Sequence, residues 1–253
     1  MTKRIYGVLT LCFLFNTHVS SQNYTVGTIT AGHIEITSEY DTCKAMQNAA
    51  VFVAPYKKSV DSLVCHVVGH SAQALTVGRP ESLLSNWTAD VLLAAARKEC
   101  GKVDFAVTNI GSIRSSFPKG EITVGDVLEM CPFQNMLTVL TLKGSDVIEL
   151  FQQFSSFGGE GLSHGVQLHY DSKFHLVSAR LNGKDIKPGK TYRIATIDYL
   201  AEGNDNLKAF KKAVESVKTS VLVRDIYMGD IKAHEAKGQP IDAKMEGRII
   251  KDK

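Results

Sequence analysis

Two stretches of the chain carry side chains better suited to a ligand than to a core. The first, residues 104–144, reads DFAVTNIGSIRSSFPKGEITVGDVLEMCPFQNMLTVLTLKG. Within it Arg114 stands just after Thr108-Asn109-Ile110-Gly111-Ser112, a run of small and polar residues that turns the backbone. A planar guanidinium beside the amides of a turn pairs with phosphate or carboxylate through a fork of donors. Phe133 lies in Pro132-Phe133-Gln134-Asn135, a loop ahead of an apolar run. An arginine turn and a loop ring suit a ligand with an anionic end and a flat ring; a surface arginine and a core phenylalanine are the plainer alternative. The second stretch, residues 196–206, reads TIDYLAEGNDN. Tyr199 and Asp205 stand near its two ends, with Gly203 between them. Stacking on aromatic rings is worth roughly 1–3 kcal/mol per base. A carboxylate accepts from a sugar diol, as acidic residues do in dinucleotide sites. Taken alone, Tyr199 serves as well in packing and Asp205 as a helix cap ahead of Leu207.

The residues of an independent catalyst are missing. None of the eight histidines stands in a ligand pair such as H-x-H or H-E-x-x-H. His66 and His70 are four apart, but in a predicted strand with Gly69 between them. His169 and His175 flank a hairpin and are expected to face solvent. There is no G-x-S-x-G elbow and no Walker-type glycine loop. No metal site and no cofactor are expected in this chain.

Periodicity and turn signals name the elements that must hold these side chains. Apolar runs at 103–107 and 137–142 read as strands flanking the arginine turn, with a short helix at 124–130 between them. Leu84, Trp87, Val91, Leu92 and Ala95 recur at helical spacing; Glu81 and Ser82 favour the start of that helix, and Arg79 immediately precedes it. Residues 41–53 are rich in helix formers. Pro55 suits a first helical turn, so 56–63 continues as a helix. Residues 145–154 form another helix with Ser145 as its N-cap. Strands are expected at 64–74, 166–170, 176–181 and 192–196, with Asn182-Gly183 a hairpin signal between the last two. Two amphipathic helices follow, near 207–217 and 221–234, and then a terminal strand at 249–250. No repeat or linker interrupts residues 28–253, so the reading is one α+β domain with helices packed on a mixed β-sheet.

The chain has 253 residues, 44% hydrophobic and 22% charged, with a formal charge of +3. Residues 1–21 read as a secretory signal. Lys3 and Arg4 form its charged start, 5–15 its apolar stretch and Val19-Ser20-Ser21 its small-residue exit. The apolar stretch is shorter than the about 20 residues a membrane span takes. Cys12 invites a lipid anchor, although Leu11 before it is bulkier than usual. Without Lys3 and Arg4 the balance is 27 basic against 26 acidic side chains, which leaves no footprint for nucleic acid or an anionic membrane. Cys43, Cys65, Cys100 and Cys131 are too irregularly spaced for zinc. One or two disulfides are compatible with export, their pairing left open; Cys65 and Cys131, in apolar surroundings, are expected to be packed thiols. Residues 22–54 form an extension with weak strands at 26–29 and 35–37 and a lead-in helix, and 55–253 the domain.

Several landmarks, in order along the chain, carry a family resemblance. They begin with Arg79-Pro80-Glu81-Ser82 with Asn86, then Asn109-x-Gly111-x-Ile113-Arg114. Next comes Ile122-Thr123-x-Gly125-Asp126-Val127 running to Pro132-Phe133, followed by His164-Gly165-Val166 before Tyr170-Asp171. Tyr199-Leu200-Ala201-x-Gly203-x-Asp205 and Glu246-Gly247-Arg248-Ile249 complete the set. The chain resembles the C-terminal, substrate-recognition domain of the 5′-nucleotidases, UDP-sugar hydrolases and 2′,3′-cyclic phosphodiesterases. It departs from the family's usual turn at Ile110 and Ser112, where glycines are common, and at Glu202, Asn204 and Asn206 in the second loop.

The resemblance implies a nucleotide-recognition domain of a hydrolase acting in nucleotide catabolism. Phe133 and Tyr199 would clamp the base and Asp205 would hold the ribose. Asn109 would touch the base, Arg79 and Arg114 would steer phosphate, and Gly165 joins the substrate-binding set. The family's two-metal phosphoesterase motifs, an early D-x-H, an N-H-[DE] and a G-H-x-H, do not occur here. Divalent metals are therefore expected only on a separate metallophosphoesterase chain. The alternative is a stand-alone secreted or periplasmic nucleotide- or nucleoside-binding protein.

Overall fold

Helix α1, Lys44–Val64, is the first element of the computed structural model, which describes residues 43–252 without a break and a few positions between 27 and 38. The predicted signal segment lies outside the described residues, and the two weak N-terminal strands fall on positions described only in part. The two helical pieces expected on either side of Pro55 are one helix with the proline inside it. No residue of α1 is buried, so water can reach the carbonyl left without a donor by the proline ring. The expected domain start at 55 therefore falls within a helix. The chain divides into two compact units between Val51 and Phe52, also inside α1. Cys65, just beyond this unburied helix, is exposed rather than packed.

All other described elements belong to the second unit. Strand β1 (Val67–Ser71) pairs antiparallel with β3 (Gly120–Thr123), with a bulge between Val67 and its neighbour in the ladder, Gly69. At Gly69 a Cβ would stand 2.6 Å from Ile231 Cγ2, on helix α6 (Val223–Glu235). Helix α2 (Leu83–Cys100) starts at Ser82, which forms a reciprocal capping box with Ser85. Its buried face, including Leu84, Trp87 and Leu92, lies in the core. Glu81 does not serve the dipole alone: it accepts from Asn86 Nδ2 at 2.6 Å and from the Arg248 amide at 2.8 Å.

A mixed five-stranded sheet forms the centre. Its strands are β2 (Phe105–Thr108), β4 (Met136–Lys143), β5 (Gly161–Leu162), β9 (Thr191–Ile197) and β10 (Glu215–Leu222), in the order β10-β4-β9-β2-β5. Only β2 and β9 run parallel. A four-stranded sheet joins β6 (Val166–Tyr170), β7 (Leu176–Leu181), β8 (Lys184–Asp185) and β11 (Ile249–Lys251), with β11 parallel to β6. The fold is thus α+β with the single expected sheet divided into three. In the central core Phe105 meets Phe151 edge to face and Phe151 meets Phe154 at a tilt.

Three local readings change. The helix expected at 207–217 is a 3-10 turn, Lys208–Lys212, followed by β10. Val217, Thr219 and Val221 are half-buried while Ser216, Lys218 and Ser220 are exposed. That alternation is a strand pattern, reinforced by β-branching and by five residue pairs with the edge of β4. Helix α4 (Gly144–Ser156) begins one residue before Ser145 and has no side-chain cap. A Cβ at Gly144 would lie 2.0 Å from the Lys187 carbonyl oxygen, so glycine is what lets the 187–190 loop close over the helix start. The Asn182-Gly183 turn, with φ 51° and 73°, joins β7 to the two-residue β8. Strand β9 leaves for the central sheet instead.

Candidate functional site

Strands β2 and β9 run side by side, so Thr108 and Ile197 end at the same edge of the central sheet. Ile197 pairs with Leu137 at the start of antiparallel β4. Three connections therefore open at one edge: 109–114 after β2, 131–135 before β4, and 198–206 after β9, the last beginning with the one-turn helix α5 (Asp198–Ala201). Ligands of open α/β sheets collect at such carboxyl ends, where adjacent connections diverge. Here the loops enclose a cavity of about 330 Å³ lined by Asn109, Gly111, Ser112, Arg114, Phe133, Asn135, Tyr199 and Asp205. Small-molecule sites fall within roughly 300–1,000 Å³.

The floor is polar and ordered. Asn109 is 4% exposed, and its Nδ2 donates to Asp205 Oδ2 at 2.8 Å. The Tyr199 hydroxyl donates to Asp205 Oδ1 at 2.9 Å. That bond to the carboxylate, with burial and the carboxylate's charge acting the same way, holds the Tyr199 phenol above its ordinary range. Asp205 reaches both donors because the loop reverses through left-handed residues, with φ of 77° at Gly203, 53° at Asp205 and 59° at Asn206. Asn tolerates this region better than most side chains. Asn109 Oδ1 is buried without a partner, an acceptor left over within the site.

The walls are apolar and cationic. Phe133 is 43% exposed and Tyr199 41%, far more than the core rings. The Arg114 guanidinium carbon stands 6.0 Å from the Phe133 ring centroid, within reach of a cation–π contact. Arg114 Nη1 donates to the Gly111 carbonyl at 3.2 Å, and the Arg114 amide donates to the Met130 carbonyl at 2.9 Å. The amide bond ties the arginine turn to the end of helix α3 (Val124–Met130), whose start is fixed by a Thr123–Asp126 capping box.

Of the seven residues singled out by sequence, Asn109, Arg114, Phe133, Tyr199 and Asp205 share this cavity. Arg79 and Gly165 are not among its lining residues. Arg79 Nη2 donates to Glu160 Oε1 at 2.8 Å. Gly165 lines a separate depression with His164, Asn182 and Glu246. Its φ is +86°, and a Cβ there would lie 2.3 Å from Asn182 Oδ1; the glycine is required by the β6–β7 hairpin. Asn135 and Ser112 line the cavity without having been chosen, although each belongs to a loop already marked by Phe133 or Arg114. Glu160 gave no local signal, because its partners lie far away in sequence. Among the described residues, no group of three or more His, Cys, Asp or Glu side chains converges as metal ligands.

Residues 67–212 match the family model described as 5′-nucleotidase, C-terminal domain. The chain is 28% identical over 213 residues to the trifunctional nucleotide phosphoesterase protein YfkN of Bacillus subtilis, covering 77% of this chain and 14% of that protein. It is 32% identical over 166 residues to protein UshA of Yersinia enterocolitica, covering 63% of this chain and 29% of that one. The crystal structure of a 5′-nucleotidase precursor from Thermus thermophilus superimposes with a TM-score of 0.71 at 26% identity, covering 82% of this chain and 43% of that one. The chain thus spans less than a third of these two curated relatives.

Proposed function

Because the chain belongs to the 5′-nucleotidase C-terminal domain family, we propose that it recognises nucleotides for a 5′-nucleotidase-type hydrolase. The base stacks on Phe133 and Tyr199, the ribose hydroxyls donate to Asp205, and Asn109 meets a base edge through its free Oδ1. Arg114 takes the phosphate. The observation that carries this reading is the convergence of two exposed rings, one guanidinium and one carboxylate on a single cavity of about 330 Å³. A flat base, a diol and an anion need those three chemistries together.

Cleavage is assigned to a separate secreted metallophosphoesterase that carries the divalent metals. One feature supports a protein partner over a stand-alone binder: α1 exposes Phe52, Tyr56, Val60 and Leu63 at 71%, 64%, 52% and 69%. Large apolar side chains in a row on a surface mark a protein contact. Export is supported by the charged-then-apolar start of the chain, and no described helix is long and apolar enough to cross a membrane.

Titration calorimetry of the purified full chain tests the recognition reading. Saturable binding is expected for AMP and adenosine, and much weaker binding for ribose 5-phosphate, which lacks the ring. Equal affinity for AMP and ribose 5-phosphate, or no heat with millimolar AMP, overturns it.

A further inference from the structure

Glu160 is a carboxylate only 3% exposed that the recognition reading leaves without a role. It lies directly behind the cavity. One oxygen, Oε1, accepts from Arg79 Nη2 at 2.8 Å; the other, Oε2, accepts the Ile110 amide at 2.7 Å. Ile110 is the first residue of the turn after Asn109, the turn that presents Asn109, Gly111, Ser112 and Arg114 to the cavity. Burial pushes the Glu160 carboxyl above its ordinary range, and the Arg79 charge and both hydrogen bonds pull the other way. A carboxylate so placed satisfies both the Arg79 guanidinium and the Ile110 amide.

The backbone around Glu160 is built for close approach on both sides. At Gly159 a Cβ would meet the Pro80 carbonyl oxygen at 2.6 Å; at Gly161 it would meet Thr108 Oγ1 at 2.3 Å. Two glycines thus let one residue wedge between the segment that carries Arg79 and the strand end that leads into the ligand turn. The order of contacts is Arg79 to Glu160, Glu160 to Ile110, and Ile110 to its neighbour Asn109. Asn109 in turn donates to Asp205.

We propose that Glu160 is a positioning residue that clamps the Asn109–Ser112 turn in its binding geometry, and that Arg79 acts on the ligand through Glu160 rather than by touching phosphate. The inference rests on the nucleotide reading for its ligand. It differs from that reading in what Arg79 does, and the two can fail separately.

The test compares AMP with adenosine in the full chain. A lost bond to a buried charged group is worth about tenfold in affinity or more. Glu160→Ala is expected to weaken both ligands by about that factor. Arg79→Ala should weaken AMP and adenosine equally, and should add nothing in the Glu160→Ala background. Glu160→Gln keeps an acceptor for the Ile110 amide but faces Arg79 with a donor; it should recover part of what Glu160→Ala loses. A merely structural role would lower the melting temperature without this pattern. If Arg79→Ala weakens AMP but spares adenosine, and does so in both backgrounds, Arg79 contacts phosphate and the proposal fails. If neither ligand binds the wild type, the nucleotide reading fails. The clamp is then decided by amide exchange, read as the fold change in rate at Ile110 with Leu140 in the central sheet as reference. Faster exchange at Ile110 in Glu160→Ala upholds the clamp, and an unchanged rate overturns it.

Discussion

The Asp205 carboxylate already accepts two hydrogen bonds before any ligand arrives, from Asn109 and Tyr199. A carboxylate offers about four lone-pair sites, so a ribose diol can join without displacing either donor. This arrangement fixes the Tyr199 ring beside the acid and leaves both cavity rings exposed. Phe133→Ala and Tyr199→Ala are each expected to weaken AMP binding by roughly 1–3 kcal/mol. Their melting temperatures should stay close to wild type, since neither ring is buried. A collapse in melting temperature with unchanged affinity of the folded fraction would mean that the rings pack rather than bind. Cys131 makes a contrasting case. Burial pushes its thiol up to about 11, with Arg224 pulling slightly the other way. At pH 8 only about one Cys131 in a thousand is then thiolate. A disulfide reagent should label exposed Cys43 and Cys65 at once and Cys131 only after unfolding. Because the folded value lies above the unfolded one, the associated stability is complete below about pH 9 and lost as pH rises through about 11.

Among the elements, close backbone approach decides more than helix or strand propensity. Gly144 opens α4 under the Lys187 carbonyl, where an added Cβ would stand at 2.0 Å from backbone. The loop cannot yield as a side-chain tip would. Gly144→Ala should cost about 1–3 kcal/mol by overpacking, read as a fall in the urea midpoint. Gly189, in the same loop, has nothing within 4 Å of an added Cβ and no positive φ. Gly189→Ala should leave the midpoint unchanged or raise it slightly. Equal effects at the two positions would show that the loop moves freely and that the contact does not hold it.

At the level of the whole molecule, Arg248 joins the chain's end to its middle. It is 4% exposed; it pairs with Asp90 on α2 at 2.7 Å and donates to the Leu162 carbonyl on β5 at 2.7 Å. Among the described residues no group of three or more His, Cys, Asp or Glu side chains could hold a metal ion. The purified chain is expected to release no phosphate from AMP or UMP with or without Mn²⁺ or Zn²⁺, because two-metal hydrolysis needs several ligands around each ion. A lone metallophosphoesterase partner should gain in kcat/KM for AMP when the protein is added, and change little on p-nitrophenyl phosphate. Binding energy from base and ribose positions the phosphate and lowers the barrier only for nucleotides. Arg114→Ala should remove the gain while the chain stays folded. If saturating wild-type protein leaves kcat/KM for AMP unchanged, the stand-alone binder takes the partner's place.

Short-range patterns were enough for much of this. The helix expected at 124–130 is α3, Val124–Met130, because its signals lie within one segment. The strands at 166–170 and 176–181 are β6 and β7 for the same reason, whereas Phe133 and Tyr199 are set apart from packing rings only by the family landmarks around them. Tertiary structure decided the rest. Whether 215–222 coils or extends depends on the free edge of β4, some 75 residues earlier in the chain, and no local pattern names that edge. Likewise Gly165 serves a hairpin because Asn182 presses on it. Glu160 reads as an ordinary acid in a glycine-rich loop until folding brings Arg79 and the Ile110 amide to its two oxygens. Local sequence encodes spacing along one element; a buried charge takes its meaning from partners that only the closed chain supplies.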